Sequence, residues 1–158
     1  YNMFSPFDFD ADAFVEEAVA YCRANGIQGV TALNCFATLL ASVVRQELGL
    51  PGPDFRGVLH CCNKYYMRRR LTPEWQPYEH GQPPPTYPAV VKLSDCQFYS
   101  HVRIVQNEAE WREAWGALQA TLDLGLQARR RFYAKWSERF GFELEPRQED
   151  IRLIHTEP

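Results

Sequence analysis

Apolar residues recur at helical spacing in several stretches of the chain. Behind Asp10, Phe14, Val15, Ala18, Val19 and Cys22 share one face and predict a helix over 11–24, stopped by Gly26. Asn34 opens a second helix, in which Phe36, Leu39, Leu40, Val43, Val44 and Leu48 form a wide apolar stripe ending at Gly49. Between the two, Ile27–Leu33 contains a short β-prone run, Gly29-Val30-Thr31. This helix–strand–helix order is that of α/β folds.

Proline punctuates the middle. Leu50-Pro51-Gly52-Pro53 reads as a rigid turn, and a short segment, 54–62, leads to Asn63 and a helix through Leu71. Prolines at 73, 77, 83, 84, 85 and 88 mark an extended linker or surface excursion. Tyr87–Leu93 and His101–Val105 read as two strands of a β-hairpin joined by a long loop, 94–100. Asn107 and Glu110 have the spacing of a capping box, followed at helical intervals by Trp111, Ala114, Trp115 and Leu118. A helix over about 127–140 carries Phe132, Trp136 and Phe140, and Ile151–Ile154 is the last predicted strand. The tryptophan and phenylalanine set of 111–136 is expected to be core.

Composition narrows the class. The chain has 158 residues, 46% of them hydrophobic, which excludes intrinsic disorder and allows a sizeable core. The net charge of −3 gives no general drive toward nucleic acid or an anionic membrane. No apolar run is long enough to span a bilayer, and the first residues lack the order of a signal peptide. Five cysteines, an odd number within apolar segments, fit a reducing cytoplasm better than a disulfide framework. His60-Cys61-Cys62 lacks the ligand spacing of a zinc site, and His101 and His155 read as ordinary strand residues. No Ser/His/Asp or Cys/His nucleophile system stands out. Both ends read as cut, so the expectation is a piece of a longer protein.

Charge is unevenly spread. Residues 1–56 have a net charge of −4, whereas 57–72 hold Lys64, Arg68, Arg69 and Arg70 and no acid. Of 17 basic residues only three are lysine: Lys64, Lys92 and Lys135. In a chain that uses arginine elsewhere, a retained lysine marks a place for a compact ammonium on a thin stem.

Several segments then fall into a familiar order. Glu47-Leu48-Gly49-Leu50-Pro51-Gly52-Pro53 is followed by Asn63-Lys64-Tyr65-Tyr66-Met67-Arg68 and by Tyr87-Pro88-Ala89-Val90-Val91-Lys92. Val102-Arg103-Ile104-Val105, a helix opening Asn107-Glu108, and Leu153-Ile154-His155-Thr156-Glu157-Pro158 complete the series. From about residue 10 onward the chain resembles the first half of an ATP-grasp ligase, the superfamily of biotin carboxylase, carbamoyl phosphate synthetase and the D-alanine–D-alanine ligases.

The resemblance implies an α/β chain in two parts. Residues 1–54 correspond to the end of a Rossmann-like pre-ATP-grasp domain, and 55–158 to part of the small α+β, ATP-binding lobe. It implies ATP and Mg2+ as cofactors and a small carboxylate as substrate, with no nucleic acid and no membrane among the partners. Lys64 matches the lysine of the family's DK-x-x-x-R segment, which reaches the nucleotide phosphates. Lys92 matches the lysine ending the P-x-V-V-K-P strand, which contacts phosphate and adenine, and Glu157 matches the acid of the final strand at adenine and ribose. Elementary chemistry agrees, because a triphosphate needs fixed positive charge from separate elements.

Three departures change the picture. The phosphate-covering loop, Ser94-Asp95-Cys96-Gln97-Phe98-Tyr99-Ser100-His101, contains no glycine, leaving Ser94 and Ser100 as hydrogen-bond donors. Leu93 replaces the usual Pro and Asn63 the usual Asp. The family's magnesium ligands and acceptor-substrate residues lie further on, so the chain alone is not expected to catalyse ligation. Two alternatives stay open. One is a non-catalytic nucleotide-binding module with a degenerate site; the other is an interaction protein using the aromatic face of 111–140.

Overall fold

The structure is a computed structural model and describes residues 9–71, 82–93, 102–122, 126–144 and 154–157. The chain forms α1 (Ala11–Ala24), α2 (Cys35–Leu48), α3 (Phe55–Cys62), α4 (Lys64–Leu71), β1 (Ala89–Leu93), β2 (Val102–Val105), α5 (Glu108–Leu122), α6 (Leu126–Arg139) and β3 (Ile154–Glu157). The architecture is mixed α/β and rich in helix. It divides into two compact units, one of Tyr1–Cys62 with Arg131–Glu143 and one of Asn63–Arg130 with Leu144–Pro158.

In the first unit, the helices begin and end where their caps dictate. The Asp10 carboxylate accepts from the Ala13 N–H at 3.0 Å, and the Asn34 side chain accepts from the Ala37 N–H at 2.9 Å. Gly49 ends α2 with φ 65°, a left-handed conformation that an L side chain resists. The expected stripes are buried: Val15, Val19 and Cys22 from α1, and Leu39, Leu40, Val43 and Val44 from α2.

The last turn of α2 ties the unit together. Arg45, though buried, donates from Nη1 to the Val30 carbonyl at 3.0 Å, and the Gln46 side chain accepts from the Phe55 N–H at 2.9 Å. Glu47 takes both prongs of the Arg139 guanidinium, at 2.8 and 3.0 Å, and its carbonyl accepts from Arg23. Gly52 sits against Arg45 with φ 139°; a Cβ there would stand 2.8 Å from Nε, so the turn requires glycine.

Residues 131–143 enter this unit through aromatic packing. Phe55 is 0% exposed, and its ring lies 6.2 Å from Phe132, 5.9 Å from Phe140 and 5.8 Å from Phe142. Trp136 donates to the Asp12 carboxylate at 2.9 Å, and Lys135 bridges Glu16 at 3.0 Å and Asp12 at 3.3 Å.

The second unit is built on a three-stranded antiparallel sheet in the order β2-β1-β3. Val90 pairs with Ile104 and Glu157, and Lys92 with Val102 and His155. Ala89, Val91 and Val105 are buried on the face that α5 covers, where Trp111, Ala114 and Leu118 close the layer. Before α5 the Asn107 and Glu110 side chains form a variant of the capping box, in which the Glu110 carboxylate reaches the N–H of the residue before the cap. Asn107 accepts from the Glu110 N–H at 3.0 Å, and Glu110 accepts from the Gln106 N–H at 2.9 Å.

Two expectations need correction. Residues 54–62 are not a bare connection but the helix α3, in which Asp54 caps Gly57 and Phe55, Val58 and Leu59 give the apolar spacing. The β-prone run at Ile27–Leu33 forms no strand: among the described residues no strand lies beside it, and Leu33 is 99% exposed. The described last strand is Ile154–Glu157, which carries the pairing with β1, and 151–153 of the expected strand lie outside the described residues. Of the expected linker over 73–87, residues 82–87 hold no helix or strand and 73–81 lie outside the described residues, as does the expected loop 94–100.

Two outcomes test this packing. Phe55→Ala, which empties the centre of an aromatic cluster, is expected to lower unfolding free energy by about 3–5 kcal/mol in denaturant titration. Hydrogen bonding from Arg139 lowers the Glu47 carboxyl below the ordinary range; burial partly opposes this, and the charges of Arg139 and Arg23 reinforce it. A depressed carboxylate pKa contributes stability above the unfolded-state value, and loses it as pH falls through the folded-state value. The wild type is therefore expected to lose stability more steeply than Glu47→Gln on acidification from neutral pH through the carboxylate range, measured by thermal unfolding at successive pH values.

Candidate functional site

The sequence-derived residues do not share one description. Lys64 opens α4, Lys92 lies on β1 and Glu157 ends β3, all within the second unit. Ser94 and Ser100 lie outside the described residues.

Strand β1 places Lys92. It is the central strand, with a ladder on each edge, and its alternate residues divide between two environments. Ala89 and Val91 are sealed under α5, Val91 at 0% exposure. Val90 and Lys92 point to the other face, where both are half-buried and Ile104, paired with Val90, is 67% exposed. An apolar strand thus carries its one cation on the face away from α5.

The ladder brings Lys92 and position 157 into one neighbourhood. Glu157 stands directly across from Val90, two residues along β1 from Lys92, and position 155 stands across from Lys92 itself. Directly opposed positions of an antiparallel pair fall on the same face, so 155 and 157 take places on the face of Lys92. His155, read from sequence as an ordinary strand residue, lies within β3. Its place opposite Lys92 comes from the register of the ladder, which residue type alone does not give.

Lys64 is half-buried at the start of α4. Asn63, where the family has Asp, precedes it and uses its carbonyl to accept from the Met67 N–H at 3.0 Å. Neither Lys64 nor Lys92 is without a partner. Close to the start of β1, the Tyr87 hydroxyl is sealed from solvent, with no hydrogen-bond partner among the described residues. Desolvation raises the pKa of this phenol; Glu108 adds to the rise and Arg112 opposes it. Among the described residues no group of three or more His, Cys, Asp or Glu side chains is placed to hold a metal ion. No helix among them is long and apolar enough to cross a membrane.

No protein-family model and no curated protein matches the chain. Among solved structures, the chain is similar to an L-amino acid ligase from Bacillus licheniformis, with a TM-score of 0.56 and 24% sequence identity. The match covers 66% of this chain and 27% of the ligase chain. The likeness is one of fold, and it extends over about a quarter of that ligase.

Proposed function

We propose that the chain is the ATP-binding portion of an ATP-grasp ligase that joins a carboxylate to an amine or a thiol through an acyl-phosphate. In this reading residues 1–54 are the end of a Rossmann-like domain preceding the ATP-grasp domain, and 55–158 belong to its small lobe. The observation that supports it is Lys92, a half-buried cation on the sheet face away from α5 in a chain whose fold matches part of an L-amino acid ligase.

The chemistry follows from the charge of the ligand. ATP brings a chain of phosphates that needs cations from separate elements, and α4 and β1 each supply a lysine. Lys64 and Lys92 take the phosphates, Ser94 and Ser100 donate to them, and Glu157 accepts from the ribose and adenine side. A small carboxylate is the second ligand. Its oxygen attacks the γ-phosphorus, the bond to the β–γ bridging oxygen breaks and ADP leaves. The acyl-phosphate carbonyl then takes the amine or thiol as inorganic phosphate departs. Magnesium belongs to the same chemistry as a shield for phosphate charge, but the described residues do not gather a site for it. The cytoplasm is the compartment that supplies ATP, and free Cys22, Cys61 and Cys62 suit it.

The glycine-free run Ser94–His101 favours a second reading, a module that binds the nucleotide without catalysing ligation. Both readings require ATP to bind and differ in turnover by the whole protein.

Calorimetric titration tests the shared part. The wild type is expected to bind ATP, and Lys92→Ala to weaken binding roughly tenfold to a hundredfold, the range of a charge-assisted hydrogen bond. Lys135→Ala, which removes a lysine from the first unit, is expected to leave affinity unchanged. A wild type that fails to bind ATP, or a Lys92→Ala protein that binds it as tightly, contradicts the proposal.

A further inference from the structure

We propose that His155 is a nucleotide-binding residue of the site around Lys92, and that it strengthens the hold on ATP when its imidazole is protonated. The inference rests on the ATP-binding reading and adds to it a residue to which the resemblance gives no role.

Strand register carries the placement. In the ladder between β1 and β3, position 155 is the direct partner of Lys92, and position 157 is the direct partner of Val90. Directly opposed positions of an antiparallel pair share a face and have Cβ atoms about 4.5–5.5 Å apart. Along the other edge of β1, Lys92 is paired with Val102 and Val90 with Ile104. Six positions therefore form one contiguous patch: Val90, Lys92, Val102, Ile104, His155 and Glu157. Val90, Lys92, Val102 and Ile104 all keep some exposure, whereas Ala89, Val91 and Val105 are buried on the opposite face, where α5 packs.

The patch holds three ionisable groups. Lys92 lies across the ladder from His155, and Glu157 lies two places along β3, while β2 adds only the uncharged Val102 and Ile104. Imidazole is the side chain whose charge changes between about pH 5 and 8. Once protonated, His155 directly opposite Lys92 makes a like-charge pair, which is unfavourable across a sheet. Glu157 offsets part of that repulsion. A polyphosphate laid against the pair turns the repulsion into two attractions, and each becomes a charge-assisted hydrogen bond. Acidification thus adds a second cation to the patch without moving the backbone.

Titration of ATP into the full chain at about pH 8 and about pH 5.5, either side of the imidazole range, tests the inference. Circular dichroism confirms that each protein is folded at each pH. ATP takes up a proton in the same range, so the readout is the affinity of the wild type relative to His155→Gln at the same pH. The two are expected to bind alike at about pH 8, and the wild type roughly tenfold more tightly at about pH 5.5. His155→Lys, whose charge is fixed, is expected to bind ATP more tightly than the wild type at about pH 8. A ratio of wild type to His155→Gln that is the same at both pH values would overturn the role of the imidazolium. So would a His155→Lys protein that binds like His155→Gln at about pH 8. With Lys92→Ala still binding poorly, either result leaves the Lys92 site intact. A wild type that binds no ATP at either pH overturns the ATP-binding reading itself, and this inference with it.

Discussion

The second unit depends on one strand being paired along both edges. β1 is held by β2 on one side and β3 on the other, so its residues cannot change face without breaking two ladders. Burial of Ala89 and Val91 under α5 then decides the orientation of the whole strand. Lys92 is placed on the face away from α5 as a consequence of register, and no local feature of the lysine is needed to explain it. The same ladder carries position 157 alongside. A functional reading of this unit is therefore a reading of strand register first and of individual side chains second.

The first unit has a different organising element. Three consecutive residues at the end of α2 each hold a separate piece of chain: Arg45 the loop at Val30, Gln46 the start of α3, and Glu47 the end of α6. The aromatic cluster around Phe55 supplies the apolar part of the same attachment. Burial of such rings outweighs the exposed ion pairs in energy, since surface pairs contribute about 0–1 kcal/mol each. The polar ties select which segments meet, and the aromatic packing makes the meeting stable.

Much of this was legible in the chain before any coordinates. Asp10, Asn34, Gly49 and the Asn107/Glu110 pair marked helix ends because caps are local chemistry, and the observed hydrogen bonds match them. The hairpin of β1 and β2 was visible in two β-prone runs, and its antiparallel pairing follows. Long-range relations were not legible. The Ile27–Leu33 run has strand propensity, but a strand needs a neighbour, and propensity cannot say whether one is there. Helix α3 was hidden by its length, since eight residues after two prolines give too few turns for a periodic signal. The return of 131–143 to the first unit rests on Phe55 meeting Phe132, a contact between residues far apart in sequence. For the site, residue types pointed to Lys64, Lys92 and Glu157, and the ladder supplied what types cannot, the closeness of position 157 to Lys92.

The central claim is that a nucleotide meets this molecule on the Lys92 face of the sheet. Hydrogen–deuterium exchange of the chain with and without ATP measures that contact without altering a residue. Slowed exchange in peptides covering Ala89–Leu93 and Ile154–Glu157, with α1 and α2 unchanged, is the expected result. Unchanged exchange throughout at saturating ATP, or protection confined to α1 and α2, would contradict it.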